Sequence, residues 1–354
     1  MKKIISLVLV ALMAFSVFAL VSCGDNSTTT EETTAATEAT ALKFGFGVVT
    51  GISSVKDADG DTDGGATVDT TAVAVLLDAE GKFVDLDIDT LQAKTAWTSA
   101  GVAATATEAK TKYDKAYEYN MAARGTKHDG SEGQPLEWFE QIDAFIATAK
   151  GKTLDEVKAF VGEDTYTTGD LATAGCTISV ADIMKALDKA VANAAETTAT
   201  GDLDLAFATS ISNADATEES DGKITVAATI VAAVVDAEGK VELAKTDCAQ
   251  TAVTFNATGA ATVDTAAELK TKLELGDDYN MAAYGKKHDG SEGQPLEWYA
   301  QAAAFDAALV GKTADEFAAF AGEDGYATGD LATAGCTMAI GDMIKAAAAA
   351  ATVA

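Results

Sequence analysis

Two long passages of this chain occur twice, in the same order. Tyr119-Asn120-Met121 and the run His128-Asp129-Gly130-Ser131-Glu132-Gly133-Gln134-Pro135-Leu136-Glu137-Trp138 return almost unchanged between Tyr279 and Trp298. Gly169-Asp170-Leu171-Ala172-Thr173-Ala174-Gly175-Cys176-Thr177 returns as Gly329 to Thr337. A duplicated chain must use a fold that is built twice, so one copy of the unit is the thing to explain. The first repeat runs over residues 42–195 and the second over 202–354, with Glu196-Thr197-Thr198-Ala199-Thr200-Gly201 as a short polar link. Each copy is of ordinary domain size, large enough to bury a core without staples.

Within a copy, strands precede helices. Thr67 to Leu77 and Thr225 to Val235 are Val-, Ala- and Thr-rich runs that end in an Asp-Ala-Glu-Gly-Lys turn. Phe83-Val84-Asp85-Leu86-Asp87-Ile88 then alternates with period two, which predicts a hairpin with one wet face. Phe44 to Ile52 and Leu203 to Ile211 supply a preceding strand. Further on, Pro135 suits a first helical turn, and Trp138, Ile142, Phe145, Ile146 and Ala149 fall at helical spacing before Gly151. Thr153 with Glu156 forms a reciprocal capping pattern, repeated at Thr313 and Glu316. Val180, Ile183, Met184, Leu187 and Val191 make the inner stripe of a last helix. This order predicts an α+β fold: two tandem repeats, each a small antiparallel sheet followed by packed helices. Each copy has its own strands, helices and apolar stripe, so each is expected to fold alone.

The first 41 residues read differently. Lys2 and Lys3, an apolar run from Ile4 to Val21, and Ser22-Cys23-Gly24 have the form of an export signal over residues 1–22. Residues 23–41 hold Ser, Thr, Glu and Ala with no aromatic, the composition of a disordered tether. As flexible coil such a segment reaches roughly 20–25 Å. The whole chain carries a net charge of −30, and removal of Lys2 and Lys3 with the signal takes it to −32. Arg124 is the sole arginine, so this acidic chain has no basic surface for nucleic acid.

Four groups of side chains invite a chemical reading. Asp59-Gly60-Asp61-Thr62-Asp63-Gly64 matches the opening of a calcium loop, but position twelve is Thr70, and a solvated hairpin loop is the better reading. His128 and His288 are the only histidines, each beside an acid in a Gly-rich surface loop. Cys176, Cys248 and Cys336 are read as small buried thiols, with a Cys248 to Cys336 bridge as the alternative. Gly175-Cys176-Thr177 and Gly335-Cys336-Thr337 stand before a helix, where Thr177 or Ser179 would cap it or the open N–H groups would seat a phosphate.

Two resemblances follow. Leu20-Val21-Ser22-Cys23 resembles the lipobox of bacterial lipoproteins. That resemblance implies cleavage before Cys23, lipidation of its thiol, and a place on the extracytoplasmic face of the cell membrane, the membrane being the partner through the anchor. The hairpin with its Glu-Gly-Lys turn, Leu273-Glu274-Leu275-Gly276-Asp277, the Glu297-Trp298 helix to Gly311-Lys312, and Asp330 to Thr337 resemble in order the FMN-binding domain of bacterial membrane redox proteins. In that family a hydroxyl at the end of an Asp-x-x-Ser/Thr-Gly-Ala-Ser/Thr motif accepts FMN covalently, which makes Thr177 and Thr337 the cofactor-binding candidates. Leu171 and Ala174 stand where the family has the aspartate and the first hydroxyl. The sequence therefore points to a non-catalytic binding or display module whose ligand it does not name, with a covalently flavinylated electron-transfer lipoprotein as the alternative.

Overall fold

The computed structural model describes residues 41–104, 109–123, 125–128, 133–288, 290 and 293–352. The export signal, Cys23 and the tether up to Thr40 lie outside these residues, as do Asp129 to Glu132 of the first histidine-containing motif. In the first repeat, β1 (Leu42–Lys56), β2 (Gly64–Leu77) and β3 (Phe83–Trp97) form an antiparallel meander. Helices α1 (Lys112–Lys115), α2 (Trp138–Ala149), α3 (Leu154–Lys158), α4 (Gly169–Thr173) and α5 (Ala181–Ala192) follow. After β4 (Ala195–Thr197), the second repeat opens with its own meander, β5 (Asp202–Ala214), β6 (Gly222–Val235) and β7 (Val241–Phe255). Its helices are α6 (Lys272–Leu275), α7 (Met281–Tyr284), α8 (Trp298–Leu309), α9 (Gly329–Thr333) and α10 (Gly341–Ala350). The fold is α+β, with sheets ordered β3-β2-β1-β4 and β5-β6-β7.

Three cores give this assembly four layers. Val73, Val75, Leu86 and Ile88 face Trp138, Phe145 and Leu187 of the first repeat's helices. Val231, Ala233 and Val241 face Trp298, Phe305 and Met343 in the second. Between the sheets lies a core that belongs to both repeats, with Phe46, Val68 and Leu91 packed among Leu205, Val226 and Val253. Independent folding of either repeat would expose that middle layer. It also explains why β2 and the second half of β6, from Ala228 to Val235, lack alternation, since strands covered on both faces read as continuous apolar runs.

The alternating run in β3 is wet only at its start, where Val84 is exposed and Asp85 half-buried, and is covered on both faces from Leu86 onward. Asp87 is buried, and its carboxylate accepts from the N–H of Ile88 at 2.8 Å and from that of Leu205, across the repeats, at 2.9 Å. The link is equally engaged. Glu196 and Thr197 belong to β4, which pairs with the start of β1, Ala199 enters the shared core, and the N–H groups of Thr200 and Gly201 donate to Glu242.

Small offsets between the repeats have structural causes. The register of β1 against β2 slips by one residue between Ser53 and Lys56, with Ser54 at φ 53°, whereas β5 pairs with β6 without a slip. That bulge is the one extra residue of the first repeat. Gly45 and Gly47 let α5 lie directly on β1, because a Cβ there would stand 2.0 Å from the Ala190 carbonyl oxygen and 2.2 Å from that of Ala186. The acidic stretch is the β1–β2 hairpin turn, with Asp59 and Thr62 exchanging backbone hydrogen bonds of 2.9 Å.

Helix starts differ in detail from the sequence pattern. Pro135 precedes α2, which begins at Trp138, and the Glu137 N–H donates to Glu140 at 2.9 Å. Thr153 and Glu156 do form a reciprocal cap. Neither Thr177 nor Ser179 caps α5: its N-cap is Val180, and Ser179 hydrogen-bonds Thr165. Among the described residues, no helix is long and apolar enough to cross a membrane.

Candidate functional site

The same pocket is built in both repeats, on the helix-covered side of each sheet. In the first, Thr71, Thr90 and Gln92 form the floor, Lys112 and Trp138 one wall, and the start of α5 the other, around about 250 Å³. In the second, the equivalent Thr229, Cys248, Gln250, Lys272, Trp298 and the start of α10 enclose about 380 Å³. Asp69, which borders the first pocket, has Ala227 as its counterpart, so the second is wider and less acidic.

A buried carboxyl positions each lysine. Asp89 accepts from the N–H groups of Thr90 at 2.6 Å and Tyr113 at 3.2 Å, and Asp247 accepts from Cys248 at 2.7 Å and Leu273 at 3.1 Å. These bonds pin the first turn of α1 and of α6 to the sheet. The Lys112 ammonium consequently lies 5.5 Å from the ring centroids of both Tyr119 and Trp138. That of Lys272 lies 4.9 Å from Tyr279 and 5.4 Å from Trp298, within cation–π range. Burial pushes the Asp89 carboxyl up to about 7 and that of Asp247 up to about 6, against the pull of their donors. Burial also lowers Lys112, while the charges of Asp69, Asp89 and Asp182 pull it back up.

The opposite wall hangs on a glutamine. Gln141 donates to the Leu136 carbonyl at 2.8 Å and accepts from the Thr177 N–H at 2.7 Å, and Gln301 repeats this with Leu296 and Thr337 at 2.8 Å each. Gly175, at φ 107°, passes so close to Leu136 that a Cβ would lie 2.7 Å from its Cδ1. Glu137 accepts from the N–H groups of Met121 and Ala122, and Glu297 does the same for Met281 and Ala282. Lys112, Glu137 and Gln141 recur at the same spacing as the aromatic motif, the one signal by which the sequence marks them.

The other marked residues have defined places. Thr177 and Thr337 are 9% and 7% exposed, and the Thr177 hydroxyl sits 3.3 Å from Gln141 Oε1. Neither lies at the helix N-terminus. His128 stacks on Tyr166 at 3.6 Å and bonds Asp164 at 2.8 Å through Nε2, and His288, Tyr326 and Asp324 repeat the clasp with the same distances. Each histidine thus fastens the loop that leads from Tyr119 to Trp138, or from Tyr279 to Trp298, to the turn before α4 or α9. Cys176, Cys248 and Cys336 are free and buried, and burial raises the Cys176 and Cys336 thiols to about 11. Such thiols stay protonated and inert at neutral pH. Among the described residues, no group of three or more His, Cys, Asp or Glu side chains is placed to hold a metal ion.

No family model, curated protein or solved structure matches this chain.

Proposed function

We propose that this protein is a lipid-anchored binding or display module on the extracytoplasmic face of the cell membrane, held by Cys23 and presenting its twin pockets to a small polar ligand. The observation that carries the reading is the pocket itself, rebuilt around Lys112 and Lys272 with the same tyrosine and tryptophan partners and the same lining glutamine, Gln92 or Gln250. Elsewhere the copies have drifted: α10 has become mostly alanine where α5 has Leu187, Asp188 and Lys189. An ammonium above an indole face, beside an Asp182 or Asp342 carboxylate at the helix start, offers both signs of charge and a flat apolar wall. The buried carboxyls of Asp89 and Asp247 are turned to backbone N–H groups and position the lysines instead of facing substrate. That division supports binding over catalysis.

Native mass spectrometry of protein taken from its own membrane tests the reading. The wild type is expected to carry a non-covalent small molecule that the double variant Lys112→Ala/Lys272→Ala loses, together with a diacylglycerol increment on Cys23. A covalent increment of one or two FMN units, removed by Thr177→Ala with Thr337→Ala, would replace this reading with the electron carrier. An intact mass with neither increment and no bound molecule would refute both.

A further inference from the structure

We infer that the contact between the repeats is a self-complementary dimer surface, and that the partner it fits is a second copy of the same repeat. Trp97 and Phe255 occupy equivalent positions, and their rings stack on each other at 4.8 Å with planes 3° apart. A residue that meets its own counterpart lies on a twofold axis. Around this axis the bonds are exchanged. The Ala58 N–H donates to the Gly259 carbonyl at 2.9 Å, and the equivalent Ala216 N–H donates to that of Gly101 at 2.8 Å. The Ala103 N–H donates to Asp215 at 2.9 Å, and that of Ala261 to Asp57 at 2.8 Å.

Residue i of one repeat contacts j of the other while j contacts i, the signature of an isologous interface. Every group in these exchanged bonds is present in both repeats, so two first repeats or two second repeats can form the whole set. The chain is thus a homodimer joined end to end. Five contacts lie outside the symmetry and favour the mixed pair: the Trp97 Nε1–H with the Gly259 carbonyl, where the counterpart Phe255 has no donor; the Asn213 amide with the Ala104 carbonyl; Thr50 with Thr251; Asp87 with the Leu205 N–H, whose counterpart position is Lys245; and the Lys189–Glu274 ion pair, whose counterpart of Lys189 is Ala349.

The test cuts the link in the folded full chain. A protease site inserted after Thr198, which is exposed, is cleaved, and the product is examined by native mass spectrometry, where the two halves differ in mass. If the insertion lowers the melting temperature of the uncut chain, a site after Thr200 replaces it. The halves are expected to remain one particle at micromolar concentration. After dilution to separate them and reconcentration, pairs of two first repeats and of two second repeats are expected beside the mixed pair. Halves that part at micromolar concentration, as folded monomers or as aggregate, would overturn the inference, and so would re-formation of mixed pairs alone.

Discussion

Behind β3 and β7 the two repeats fill the same space with opposite chemistry. The first places Ile88 and Ile146 in its helix–sheet core. The second has Thr246 and Asp306 at the equivalent positions, and the carboxyl accepts from the Thr246 hydroxyl at 2.5 Å and its N–H at 3.2 Å. Both residues are buried, and burial pushes Asp306 up to about 6. The sheet interface shows a second contrast. The Thr50 hydroxyl meets those of Thr70 and Thr251 at 3.0 Å each. The equivalent Thr209 pairs with Ala228, Ala93 stands where Thr251 does, and the buried Thr209 hydroxyl has no partner. Duplication copied the interior, and divergence then kept polar groups in pairs in one place and stranded one in another.

The largest effect should come from exchanging the Thr246–Asp306 pair. Thr246→Ile alone is expected to cost about 3 kcal/mol, because it leaves a buried carboxyl short of a donor. Adding Asp306→Ile should recover that loss and bring the protein to the wild-type stability or above, since apolar replacement of a buried polar pair is often neutral or favourable. Urea unfolding of the singles and the double measures the coupling, and additive costs would show that the two residues do not act as a pair.

The pH dependence sharpens the same contrast. Asp89, Asp247 and Asp306 hold their protons more tightly folded than unfolded, so their contribution is complete below about pH 4 and is lost as pH rises through about 6 to 7. The unfolding free energy should therefore fall between about pH 5 and 7.5, by at most about 3 kcal/mol per group. Asp164, Asp324, Glu156 and Glu316 are lowered, chiefly by hydrogen bonds, and act below this window. Asp306→Asn should flatten the fall, and an unchanged slope would show that this carboxyl is ionised throughout.

The smallest effects belong to the threonines. Thr209→Val is expected to stabilise by about 1 kcal/mol, because it removes a stranded hydroxyl, while Thr50→Val should destabilise by about the same amount. Equal signs in thermal melts would contradict the asymmetry.

The order of elements is legible because it is written twice, and because the helix stripe from Trp138 to Ala149 and the Thr153–Glu156 cap are local patterns. Asp87 reads as solvent-facing because alternation reports a period and not what covers the face; its partner, Leu205, lies in the other repeat. Pro135 draws the helix start too early, since the proline signal outweighs the Glu137–Glu140 bond that opens α2. The aromatic wall of the pocket can be read from the repeated motif. Lys112 recurs at the same spacing, but its place over the tryptophan cannot be read, because the Asp89 carboxyl that positions it is a strand residue 23 positions earlier.

The central claim is that the middle core makes the two repeats one cooperative unit. Trp97→Phe gives that position the residue its counterpart already has, leaving Trp138 and Trp298 as reporters of one repeat each. Further replacement of one or the other by Phe yields two single-tryptophan proteins, each compared by fluorescence with the helical circular dichroism of the same sample during urea unfolding. In both, the fluorescence and dichroism transitions are expected to coincide in midpoint and slope. A tryptophan transition completed before the dichroism of the other half is lost would contradict the claim, and show two independent domains.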